Sequence, residues 1–145
     1  MKIAVCSDEP YAMNFSLVEY LESLGHEVIA FGSVKTKEMV PWAERTREAS
    51  EAVSKGVCEE GIFFCWTGTG ASIVANKVPG IRAALCTDAE TAKGARLWND
   101  ANVLVMSNRL ISTDLAKEIT NTWLNTRYQG QAEEALSELK KIEKR

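Results

Sequence analysis

Residues 63 to 77 read FFCWTGTGASIVANK. An apolar run ends in a cysteine, a threonine-glycine pair is repeated at once, and a stretch with helical spacing follows. Such a run, bounded by turn residues, reads as a buried strand leading through a tight turn into a helix packed against it. The glycines let the backbone turn sharply and approach a ligand, and the amides entering the helix offer donors to an oxyanion or phosphate. The motif lacks the lysine of a Walker loop, and it lacks the third glycine and downstream acid of the dinucleotide fingerprint. A structural turn and an anion site are both open at this point.

Outward from this stretch the same alternation covers the chain. Apolar runs KIAVCS, EVIAF, GIFFCW, IRAALC and NVLVM are interleaved with the longer stretches NFSLVEYLESLG, WAERTREASEAVSKG, GASIVANK, AETAKGARLWND and STDLAKEITNTWLN. This order predicts one α/β domain over residues 1–145, with a five-stranded parallel sheet between helix layers. Gly25 and Gly56 close the first two helices, and Ser112 or Thr113 caps the one after NRLI. The tail QAEEALSELKKIEKR predicts a helix over about residues 131–144. Its stripe of Leu136, Leu139 and Ile142 must pack on the domain or on a partner subunit.

Composition excludes several classes. The 145 residues are 46% apolar and 26% charged, with a net charge of -3 and no basic stripe, so no nucleic-acid partner is expected. No apolar run approaches the roughly 18 residues of a membrane span, and the first residues carry no signal-peptide core, so a cytoplasmic location is expected. Four cysteines without paired CxxC spacing, and a single histidine, predict no metal site. Cys6, Cys65 and Cys86 lie in strand-like runs, where free cysteine ordinarily behaves as a small hydrophobe.

In an open parallel sheet a ligand sits beyond the carboxyl ends of the strands, so the residues just after each strand carry the functional reading. They are SDEP, GSVKTKEMVPW, CWTGTGAS, TDAE and SNR. Cys65 stands before the glycine turn, where a helix N-terminus favours a thiolate able to act as nucleophile or base. No histidine follows at a partner position, which disfavours a Cys-His hydrolase. Asp8 is either a helix cap or a ligand for sugar hydroxyls. Asn99 and Asp100 precede the fifth strand, at its amino end, and His26 lies at that end too.

The blocks MKIAVCSD, LGHEVIAFG, FCWTGTGASIVANKVPGIRAALC, NDANVLVMSNRLI and LNTRYQG resemble, in order and across nearly the whole chain, the ribose-5-phosphate isomerase B and galactose-6-phosphate isomerase family. The resemblance implies a Rossmann-like three-layer α/β/α sandwich, a dimer with active sites at the subunit interface, and aldose-ketose isomerisation of phosphosugars without metal or organic cofactor. It makes Cys65 the base that moves a proton between C1 and C2 through an enediolate. Thr67 and the turn amides, including Gly68 and Gly70, would stabilise the oxyanion. Asp8 and Asn99 would hold hydroxyls, and Arg109 would contact phosphate.

The departures point to altered specificity. Glu9 stands where the family has histidine, Trp98 replaces a histidine that helps open the sugar ring, Val40 replaces a tyrosine, and Trp66 replaces a glycine. QGQAEEAL lacks the family's tail arginines. A sugar or sugar phosphate already in open-chain form, such as a tetrulose phosphate, or one that opens without help is therefore expected, with Trp42, Trp66 and Trp98 giving a more apolar pocket. The alternative is a non-catalytic sugar-binding protein or a subunit of a heteromeric isomerase. The expected assembly is a homodimer, with a tetramer or a heteromer with a paralogue as variants.

Overall fold

The structure is a computed structural model and describes residues 1–144. Strand β3 (Glu60–Cys65) is central because every residue in it is buried. Around it the sheet runs β2 (Glu27–Gly32), β1 (Lys2–Ser7), β3, β5 (Val103–Ser107) and β4 (Ala83–Leu85), five strands with all pairings parallel. The helices are α1 (Ala12–Ser23), α2 (Ser33–Thr36), α3 (Trp42–Ser54), α4 (Thr69–Asn76), α5 (Ala89–Asn99), α6 (Thr113–Leu124) and α7 (Glu133–Glu143).

A strand covered on both faces reads as an unbroken apolar run, and its alternate residues feed two cores. Ile3, Val5, Ile62, Phe64, Leu104 and Met106 meet Leu17 and Leu21 of α1, Ala92 and Ala95 of α5, and Ile119 and Trp123 of α6. Ala4, Cys6, Phe63, Cys65, Val103 and Val105 meet Ala49 and Val53 of α3 and Ala71 and Ala75 of α4. This is the expected three-layer sandwich. Each fully buried Phe or Ile contributes about 1.5–3 kcal/mol of transfer free energy.

The chain winds outward from β1 to β2 and then crosses to β3 on the other side of β1. The gap between the carboxyl ends of β1 and β3 is thus a topological switch point, where an open parallel sheet leaves a crevice. At the opposite end, the buried Glu60 carboxylate gathers three donors: Trp123 Nε1 at 2.8 Å, Arg96 Nη2 at 3.0 Å and Arg127 Nη1 at 2.6 Å. Arg96 also donates to the carbonyls of Thr126 and Ala101. That network ties β3 to the end of α5 and to the chain after α6.

Two elements differ in extent from the sequence reading. β4 keeps only three residues, Ala83–Leu85, at the edge of the sheet, where side chains take up backbone donors that no further strand pairs. Ala83 N–H donates to Asn76 Oδ1, and Arg82 N–H donates to Asn102 Oδ1. α7 forms within the expected range but buries none of its residues, leaving Leu139 and Ile142 at 41% and 55% exposure. Its Glu143 accepts the Gly80 N–H at 3.0 Å, and its stripe faces an apolar cleft of about 360 Å³ beside Ile81, Ala83 and Ala101. Among the described residues no helix is long and apolar enough to cross a membrane.

Candidate active site

At the switch point lies a cleft of about 200 Å³ lined by Asp8, Trp42, Cys65, Trp66, Thr67, Thr69 and Gly70. The turn that builds it depends on one glycine. Gly68 has φ +81°, and a Cβ there would sit 2.5 Å from Leu85 Cδ1 and 3.3 Å from the Met106 backbone. Only glycine takes this conformation without strain. The turn folds the chain back so that Gly68 N–H and Ala71 N–H point at Cys65 Sγ, at 3.2 and 3.5 Å. Two converging amides at the start of α4, with the positive end of its dipole, stabilise negative charge on that sulfur.

Cys65 is 6% exposed. The other cysteines are core: burial pushes the thiols of Cys6 and Cys58 up, and that of Cys86 up to about 12. Thr67 and Thr69 place their hydroxyls 2.7 Å apart at the open side of the cleft. Because the Gly68 amide is directed at the sulfur, it is not presented to a ligand as the sequence reading expected. Gly70 lines the cleft, and its amide, in the first turn of α4, has no intrahelical partner.

Asp8 is not the cap of α1. That helix begins after Tyr11, whose N–H donates to Asn14 Oδ1 at 3.1 Å. Asp8 instead lines the cleft with Oδ1 buried and without a hydrogen-bond partner. Burial pushes its carboxyl above the usual carboxylate range, and the neighbouring Glu9 charge adds to the shift. Glu9 accepts a hydrogen bond from Tyr11 Oη at 2.9 Å. Trp66 is exposed, and the Arg109 guanidinium lies 5.4 Å from its ring centroid.

Trp98 and Asn99 stand apart from this group. They occupy the last turn of α5, beyond the amino end of β5, and the rise along β5 alone separates them from the Cys65 end by about 13 Å. Asn99 borders the cleft under α7, and Trp98 borders a separate groove with Glu134 and Glu138. Within one chain, then, Asp8, Cys65, Trp66, Thr67 and Gly70 meet, while Trp98 and Asn99 do not join them. Thr69 escaped the sequence reading, although its place in the first helical turn after the glycine marked it. Trp42, read there as a pocket wall, lies over Gly70, where a Cβ would be 2.8 Å from its ring.

Residues 3–142 match the model of the ribose/galactose isomerase family, and the chain belongs to that family. It is similar to ribose-5-phosphate isomerase B of Escherichia coli, 35% identical over 125 residues that cover 86% of this chain and 83% of that protein. It is also similar to D-erythrulose-4-phosphate isomerase of Pectobacterium atrosepticum, 37% identical over 115 residues covering 79% and 76% respectively. The solved structure of Clostridium thermocellum ribose-5-phosphate isomerase B superposes with a TM-score of 0.91 at 40% identity, covering 99% of this chain and 98% of that one.

Proposed function

We propose that the protein is an aldose-ketose isomerase that uses Cys65 as its base on a short, open-chain sugar phosphate. The observation that carries this reading is the pair of backbone amides converging on Cys65 Sγ in the cleft that Asp8 also lines, with its Oδ1 buried and unpartnered. The thiolate removes the proton from the carbon next to the carbonyl, the carbonyl oxygen becomes the enediolate oxyanion, and the same sulfur, its S–H exchanging with solvent, delivers a proton to the former carbonyl carbon. The hydroxyl proton passes from one oxygen to the other, so substrate and product are isomers. Thr67 and the Gly70 amide stabilise the oxyanion, the kind of preorganised donor that ordinarily contributes most to such catalysis. Asp8 accepts from a sugar hydroxyl, and Arg109 holds the anionic end.

Specificity follows from the walls. At about 200 Å³ the cleft is below the usual range for organic ligands, it is flanked by the indoles of Trp42 and Trp66, and among the described residues no lysine or arginine lines it, Arg109 lying against the Trp66 ring at its edge. A four-carbon chain fits these walls better than ribose 5-phosphate, and the erythrulose-4-phosphate isomerase relative supports the same choice. Asn99, remote from Cys65 in its own chain, reaches a substrate only from a second copy, which makes the working unit a dimer with shared sites. Glu9 and Trp98, in place of two histidines, leave no ring-opening group.

The test is kcat/KM for D-erythrulose 4-phosphate and for ribose 5-phosphate, in the wild type and in Trp66→Gly. Preference for the four-carbon substrate, relaxed toward ribose 5-phosphate by the variant, supports the proposal. Equal preference in both proteins refutes the specificity argument. No turnover of any aldose or ketose would favour the binding-protein or heteromeric-subunit reading instead.

A further inference from the structure

Asp8 and Cys65 belong to different strands, and their alignment requires a connection between the β1–α1 loop and the β3–α4 turn. We propose that Asn108 is the positioning residue that makes this connection. The inference rests on the isomerase reading above, because it concerns the same cleft.

Asn108 follows β5 and is 6% exposed. Its backbone N–H donates to the Cys65 carbonyl at 2.9 Å, and its neighbours Ser107 Oγ and Arg109 N–H both donate to the Trp66 carbonyl, at 2.8 and 3.0 Å. The peptides on either side of Trp66 are thereby fixed from the β5 side. The Asn108 side chain reaches the other way, donating from Nδ2 to Ser7 Oγ and accepting at Oδ1 from Asn14 Nδ2, each at 3.0 Å. Ser7 Oγ donates in turn to the Glu9 carbonyl at 2.7 Å.

The direction of every bond is forced. Asn14 Oδ1 faces the Tyr11 N–H, which is a donor only, so Asn14 Nδ2 must donate to Asn108 and Asn108 Nδ2 must donate to Ser7. The hydroxyl proton of Ser7 then has the Glu9 carbonyl as its acceptor. The result is a head-to-tail chain that leaves the backbone at Tyr11 and rejoins it at Glu9, one residue beyond Asp8. Ser7 and Asn14 are both 0% exposed, so water does not stand in for a missing link. Buried bonds polarised in one direction strengthen one another. Asn108 thus holds the loop carrying Asp8 with its side chain and the peptide of Cys65 with its backbone.

Two substitutions cut the chain at the same link. Asn108→Asp keeps shape and the bond from Asn14 but cannot donate, so the Ser7 hydroxyl turns to the new carboxylate and releases Glu9. Ser7→Ala removes the link without adding charge and is the variant expected to fold normally. Displacements of about 1 Å in a reacting geometry cost on the order of a hundredfold, so kcat should fall about tenfold to a hundredfold while KM stays within about threefold. Far-UV circular dichroism should remain that of the wild type. In a cycle with Asp8→Asn, adding Ser7→Ala should cause little further loss of kcat/KM, because both act through the same carboxylate.

A scaffold role alone predicts a lower Tm and unchanged kcat for folded protein. Either unchanged kcat in folded Ser7→Ala or multiplying losses overturns the proposal. If the wild type turns over its substrate and Ser7→Ala does so equally well, only the role of Asn108 fails. If the wild type is silent, the isomerase reading fails and the positioning role fails with it.

Discussion

Replacing Glu60 with alanine leaves three donors facing an empty space, and their different surroundings set the expected cost. Arg127 is the least affected, since its side chain is 53% exposed and returns to water; an ion pair there is worth at most about 1 kcal/mol. Trp123 is fully buried, and losing the acceptor for its indole N–H costs about 1–3 kcal/mol. Arg96, whose side chain is 6% exposed, keeps its bonds to the Thr126 and Ala101 carbonyls but loses its counter-charge. Removing one partner of a buried pair costs about 3–5 kcal/mol. These losses overlap, because one carboxylate serves all three, so about 4 kcal/mol is expected in total, or roughly 10–15 °C in Tm for a chain of this size. Glu60→Gln, which keeps one carbonyl for the indole, should lose about half as much. Urea melts followed by far-UV circular dichroism, at one fixed protein concentration, measure both variants. A loss below about 1 kcal/mol for Glu60→Ala, with an unchanged m-value, would refute the reasoning.

Gly70→Ala places a methyl group 2.8 Å from the Trp42 ring, which must retreat by about 1 Å to reach ordinary contact. Because Trp42 is half-exposed it can swing outward, so stability should change by no more than about 1 kcal/mol, while the cleft wall moves and kcat/KM falls at least about tenfold. Steady-state kinetics with tryptophan emission check this, and unchanged kinetics would mean that Trp42 is no part of the wall. Asp8→Asn should stabilise the fold at pH 7. Burial raises the carboxyl in the folded state above its unfolded value, so the Asp8 contribution is fully present below the unfolded value of about 3.9 and is lost as pH rises through the folded one. Thermal melts should show the variant ahead at pH 7 and the advantage gone at about pH 3, with kcat lowered; a variant less stable at pH 7 contradicts this.

The sandwich was legible because β1, β3 and β5 are covered on both faces, so their sequences are apolar without alternation while the helices between them are amphipathic. The separation of Asn99 from Cys65 was legible too, since one precedes a strand and the other ends one. Other features depend on geometry that spacing does not encode. The turn of Gly68 through φ +81° decides that its amide serves Cys65 Sγ, and nothing in TGTG specifies that direction. The hydrogen bond between Asn14 and Asn108 joins residues 94 apart, and each alone reads as an ordinary polar residue near a helix or strand end. The exposed stripe of α7 shows the same limit: helical spacing predicted an apolar face, but not the open cleft opposite it.

The central claim is that the Cys65 sulfur moves a proton between adjacent sugar carbons. Proton NMR in deuterated water, with D-erythrulose 4-phosphate and the purified protein, reads this directly. Solvent deuterium should enter at the carbon that gains the proton, with wild-type enzyme and not with Cys65→Ala of equal folded content. Deuterium incorporation at the wild-type rate in Cys65→Ala would show that another group is the base and would contradict the account.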